Sequence, residues 1–88
     1  MVEIDAFARP LGAKRAPLSP AQCRAARGLL DWTQERLAEA AGISRSTVRD
    51  FESGRHELHR STAELIVAAF GAAGAVLLPE GDGVRFAP

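Results

Sequence analysis

Arg45, Ser46, Thr47 and Arg49 crowd into a short stretch just after Gly42-Ile43-Ser44. A guanidinium presents a flat fork of donors suited to paired hydrogen bonds with phosphates or base edges. Hydroxyls bond to either. Thr33 and Gln34 precede this group, and Arg55, His56 and Arg60 follow it. Other chemistries find less support. His56 and His59 are two ligands where a metal site needs more, and Cys23 is the one thiol. EGDG, residues 80–83, lacks the ligand pattern of a calcium loop. There is no nucleophile–base pair and no phosphate-cradling glycine loop. We therefore expect no enzyme activity, metal or cofactor.

The whole chain narrows the reading further. Eighty-eight residues suit one small domain with a modest core, which dimerisation would help to stabilise. Eleven basic residues balance eleven acidic ones. That counts against a strongly basic nucleic-acid coat protein, but site-specific binding needs only a local basic patch. Ten of the eleven basic residues are Arg, which suits bidentate contacts, though codon usage explains the same ratio. No apolar run approaches the ~18 residues of a membrane span. The N-terminus lacks the basic-then-apolar pattern of a signal peptide. One cysteine and no such segments point to a reducing, cytoplasmic setting.

The elements that would position these residues follow from caps and periodicity. Residues 1–17, broken by Pro10, Gly12 and Pro17, read as a flexible arm with Ile4 and Phe7 as an apolar anchor. Arg9, Lys14 and Arg15 suit a minor-groove arm or an ordinary solvated tail. Ser19, Pro20 and Gln22 predict a helix start with a capping box, and Leu18 and Cys23 have staple spacing. Cys23, Ala26 and Leu30 would face inward. Thr33 caps a second helix, buried along Leu37, Ala38 and Ala41, and Gly42 ends it. Ser44 caps a third helix at once, with Ile43 and Val48 as its staple, Val48 and Phe51 inward and Gly54 as its stop. Two helices joined by so short a Gly-containing step form a helix-turn-helix. Ser61 or Thr62, with Glu64, is expected to cap a fourth helix with an apolar face of Leu65, Ile66, Ala69 and Phe70. AVLLP and VRFAP flank EGDG as a short strand pair. Such a pair is weak alone and must pack on the helices or on a second subunit.

The run RGLLDWTQERLAEAAGISRSTVRDFESGR, residues 27–55, closely resembles the Xre/Cro-type, lambda-repressor-like helix-turn-helix domain. The matching features are Arg27, Gln34, Leu37-Ala38, Gly42-Ile43-Ser44, Val48 and Glu52-Ser53-Gly54. The resemblance implies a mainly α fold of four to five helices with a C-terminal β-hairpin or strand pair. The expected organisation is an arm over 1–17, the DNA-binding domain over 18–73 and a β-extension over 74–88. In such domains the third helix, here 45–53, enters the major groove. Carried over, Arg45, Ser46, Thr47 and Arg49 read bases. Gln34 touches a phosphate and braces the recognition helix, and Thr33 and Ser44 join it at helix N-termini, which attract anions. Arg55, His56 and Arg60 are placed for phosphates. Arg27 and Glu52 form a structural ion pair, not a DNA contact. Two features depart from the pattern. Gly28 sits inside helix one where a better helix former is usual, and Asp50 and Glu57 bring negative charge near the DNA face. Trp32 is expected to pack at the corner of helices one and two.

The implied function is a sequence-specific transcriptional regulator of bacterial cytoplasm, a dimeric repressor bound to double-stranded DNA and the nucleoid. Val76, Leu77, Leu78, Val84 and Phe86 would carry dimerisation, with the last helix assisting. The rival is a protein-interaction adaptor or antitoxin-like module on the same fold, supported by the zero net charge and the apolar AVLL segment. Under that reading a protein partner replaces DNA, and the strands add to its sheet.

Overall fold

The protein is described by a computed structural model over residues 18–78 and 83–87. The arm with Ile4, Phe7, Arg9, Lys14 and Arg15, and most of the EGDG turn, lie outside these residues. Among those described there are four helices and two strands: α1 (Pro20–Leu30), α2 (Gln34–Ala41), α3 (Arg45–Glu52), α4 (Arg60–Ala72), β1 (Ala75–Leu77) and β2 (Val84–Phe86). None of these helices is long and apolar enough to cross a membrane.

The helix starts follow one rule. Ser19, Thr33 and Ser44 each accept a backbone N–H from three residues on, and Ser19 with Gln22 forms the full capping box. Each N-cap is preceded by an apolar residue with staple spacing to the fifth residue beyond it: Leu18/Cys23, Trp32/Leu37, Ile43/Val48 and Leu58/Ala63. All eight are buried or half-buried. The fourth pair corrects the expected cap of α4. The N-cap is His59, with no side-chain bond, and neither Ser61 nor Thr62 caps the helix. Leu58, packed against the core, fixes where the chain turns helical, and the hydroxyls fall inside the first turn. Glu64 faces Arg60 one turn back at 3.4 Å.

The ends of α1 and α2 are set by left-handed residues. Gly42, at φ 74°, closes α2 and lets Ser44 begin α3 two residues later. Asp31 closes α1 at φ 63°, a conformation that Asp tolerates better than most side chains. The third helix stops at Glu52, one residue short of the expected 53, with Ser53 as its C-cap.

The core gathers Leu18, Cys23 and Ala26 of the α1 region, Leu37, Ala38 and Ala41 of α2, Val48 and Phe51 of α3, Ile66 and Phe70 of α4, and Ala75 of β1. Deleting a buried aromatic such as Phe70 costs about 3–5 kcal/mol. Trp32 tilts against Phe70 at 6.0 Å between ring centroids, with the Arg36 guanidinium 5.2 Å over its own ring. It is the packing residue expected at that corner. Leu65 corrects the expected face of α4. Burial at Ala63, Ile66 and Phe70 sets the helix phase, which turns Leu65 outward at 50% exposure.

The strands pair antiparallel, Ala75 with Phe86, Val76 with Arg85 and Leu77 with Val84. Ala75, Leu77, Val84 and Phe86 therefore share one face. Leu77 and Val84 pack on the helical core of the same chain. Gly74, at φ 99°, has the Phe86 ring 3.1 Å from where a Cβ would stand, so the turn into β1 needs glycine on both counts.

Candidate nucleic-acid interface

The inner side of α3 holds the helix in place. Glu52, at its C-terminal end, has a side chain only 3% exposed. Arg27 of α1 grips it with two bonds, Nη2 to Oε1 at 2.7 Å and Nε to Oε2 at 2.8 Å. Gln34 of α2 donates to Oε1 at 3.0 Å, and the Cys23 thiol donates to Oε2 at 3.1 Å. Arg27 also reaches the Trp32 carbonyl at 2.9 Å, and Arg24 donates to the Glu52 carbonyl. One carboxylate thus ties α1, α2 and α3 together. No described buried side-chain nitrogen or oxygen lacks a partner.

Charge follows this geometry. Burial by itself would raise the Glu52 carboxyl, but the bonds from Arg27, Gln34 and Cys23 outweigh it and hold it below its ordinary value. The bond to Glu52 raises Arg27 in turn, against the effect of its own burial. Burial, then the hydrogen bond to Glu52 and its charge, push the Cys23 thiol far above its ordinary range. Cys23 is therefore a neutral donor, in keeping with the expected core role and not with a reactive thiol.

The outer side of α3 carries the groups expected to read bases. Arg45, Ser46 and Arg49 are exposed, and Thr47 is half-buried. The Ser44 hydroxyl takes the Thr47 N–H at 3.1 Å and lies 2.8 Å from the Thr47 hydroxyl and 3.2 Å from that of Ser46. These three hydroxyls form one connected group at the start of the helix. Arg45 has no carboxylate partner among the described residues. Arg49 has one, Asp50, with Nε 3.3 Å from Oδ1.

The expected phosphate residues are less uniform. Thr33, Ser44, Arg55, His56 and Arg60 are all exposed. Thr33 is occupied in capping, its hydroxyl accepting from the Arg36 N–H at 2.9 Å. Arg60 faces Glu64. Gln34 turns its amide nitrogen inward to Glu52, so the brace is made by the Nε2 side of that group. His56 and His59 are exposed, and no metal-binding group of three or more His, Cys, Asp or Glu occurs among the described residues. Of the expected dimer residues, Val76 and Leu78 are half-buried, Phe86 is 51% exposed, and Leu77 and Val84 are engaged in the chain's own core.

Four roles escaped the sequence reading. Cys23 and Arg24 both serve Glu52, across nearly thirty residues of sequence (29 and 28). The one available signal is that Cys23 and Arg27 are four apart and share a face of α1. Gln22 does more than complete a capping box. Its Oε1 accepts the Ser19 N–H at 3.0 Å, while Nε2 donates to the carbonyls of Leu78 at 2.9 Å and Gly83 at 3.0 Å. It therefore ties the neck of the strand pair to the start of α1. Asp50, which the sequence marks only as negative charge near the DNA face, is the residue that touches Arg49.

Residues 24–75, more than half of the chain, match the protein family described as helix-turn-helix. No curated protein matches the chain.

Proposed function

From the premise that the chain belongs to the helix-turn-helix family of Xre/lambda-repressor-like DNA-binding regulators, we propose that it is a sequence-specific transcriptional repressor acting as a homodimer. One observation carries this reading. The inner face of α3 is fixed by Glu52, while Arg45, Ser46 and Arg49 stand exposed on the helix that such domains lay in the major groove. Arg45 and Arg49 are the principal base readers, with paired donors suited to guanine, and Ser46 and Thr47 support them. Thr33, Gln34, Ser44, Arg55, His56 and Arg60 face the phosphates on either side and supply the salt-dependent affinity. Two domains about a dyad read half-sites roughly one helical turn apart. The strand pair carries that dyad through Val76 and Leu78 on its outer face and Phe86 at the exposed rim of its inner face, with α4 assisting, and Leu77 and Val84 anchor the pair to the core. Repression follows from occupying a promoter in the cytoplasm of a bacterium, on nucleoid DNA.

Selection of sites from random duplex DNA, with sequencing of the retained pool, tests this. The expected result is an enriched palindrome with half-sites about one turn apart, lost in the double variant Arg45→Ala, Arg49→Ala. Failure to enrich any sequence at moderate salt would overturn it in favour of the protein-interaction reading.

A further inference from the structure

The groups on α3 differ by direction. Successive residues on a helix turn by about 100°, so the side opposite Val48, Phe51 and Glu52 carries Ser46, Arg49, Asp50 and Ser53. A carboxylate therefore shares the outward stripe with the arginine expected to read bases. Arg49 is 52% exposed and Asp50 23%, and they meet through one contact, Nε to Oδ1. The Asp50 side chain has no other hydrogen bond or ion pair among the described residues. Its backbone carbonyl, and not its carboxylate, receives the N–H groups of Arg55 and His56 and the Ser53 hydroxyl.

Resting on the DNA-binding reading above, we propose that Asp50 is a specificity-determining residue that acts through Arg49. Two effects combine. A guanidinium held at Nε keeps both Nη groups for the edge of one guanine, so the contact positions the fork. The carboxylate also cancels the arginine's charge, leaving Arg45 as the one net positive side chain on α3. At the correct site the paired bonds to guanine compensate for bringing Asp50 into the groove. At any other sequence the neutralised pair adds no net attraction to the duplex, and no base bonds offset bringing the carboxylate close to the phosphates. Discrimination then comes from repulsion at wrong sites as well as attraction at the right one.

The test uses the full chain, the duplex it enriches from random DNA and a scrambled duplex of equal length. Asp50→Asn should bind the scrambled duplex roughly threefold tighter or more, because the released arginine gains a phosphate. Its salt slope should steepen by about one unit. The ratio of affinities for the two duplexes should fall about tenfold. Asp50→Glu, which keeps the charge, should retain weak binding to the scrambled duplex. Equal melting temperatures for wild type and Asp50→Asn exclude a folding cause. A merely structural Asp50 would weaken both duplexes alike. The proposal is overturned if Asp50→Asn changes neither ratio nor slope while Arg49→Ala lowers the ratio. If Arg45→Ala, Arg49→Ala binds the enriched duplex as wild type does, the base-reading role of α3 itself has failed.

Discussion

Two arginine–carboxylate pairs lie at opposite sides of one short helix. Arg27 and Glu52 meet through two bonds of 2.7 and 2.8 Å, and the carboxylate also receives a glutamine and a thiol. Arg49 and Asp50 meet through one bond of 3.3 Å, with Arg49 52% and Asp50 23% exposed. The residue types are the same, and the surroundings decide their use. In the enclosed pair each carboxylate oxygen already accepts from two protein donors, so Glu52 is committed to holding α3 against α1 and α2. The exposed pair is worth ~1 kcal/mol at most in water and can be exchanged for a better partner. The proposed recognition would use both: a helix held in place and side chains free to change partner.

The difference can be broken from the inner side first. Glu52→Ala leaves Arg27 without its partner and should cost roughly 3–5 kcal/mol in urea unfolding, a large share of the stability of so small a domain. Acid gives the same result more gently. The folded pKa of Glu52 lies below its ordinary value of 4.5. Its stabilisation is therefore complete above that pH and is lost as the pH falls through the lower folded value. Melting temperatures of wild type and Glu52→Gln between pH 3 and 7 should show this slope in the former and a weaker one in the latter. Next comes Gln22→Ala, which strips donors from two strand-neck carbonyls and should cost about 1–3 kcal/mol. Hydrogen exchange should localise the loosening to the strand pair. Gly28→Ala should stabilise by about 1 kcal/mol, since an added Cβ at this exposed position meets nothing within 4 Å. Smallest is Arg49→Ala, with a stability change within about 0.5 kcal/mol. A large loss there would erase the contrast between the two pairs.

Much of this was legible because it is local. Ser19, Thr33 and Ser44 announce helix starts through bonds that span three residues, and Gly42 announces the corner through its own backbone freedom. The α4 start was misplaced because hydroxyls at 61 and 62 look like caps, whereas the Leu58–Ala63 staple decides. Leu65 was misassigned because its helix has apolar residues nearly all round, so periodicity leaves the phase open. The Arg27–Glu52 pair came from family resemblance and not from spacing. Its attendants Cys23 and Arg24 could not be read, since their partner lies on another helix. The Arg49–Asp50 contact joins neighbours, for which helix geometry offers no pairing rule. Residues 1–17 stay an expectation from sequence alone.

The Gln22 amide has a consequence for the order of assembly. Its two acceptors lie 56 and 61 residues along the chain. Helices α2 to α4 find their partners over much shorter separations and can close early. The first turn of α1 cannot complete its bonds until both strands have arrived. A nascent chain lacking them would carry a helix whose start is capped through Oε1 of Gln22 but whose Nε2 still bonds to water. Completion of the strand pair is thus the event that seals α1, and the slow step of folding should lie at the seam between the first helix and the last strands.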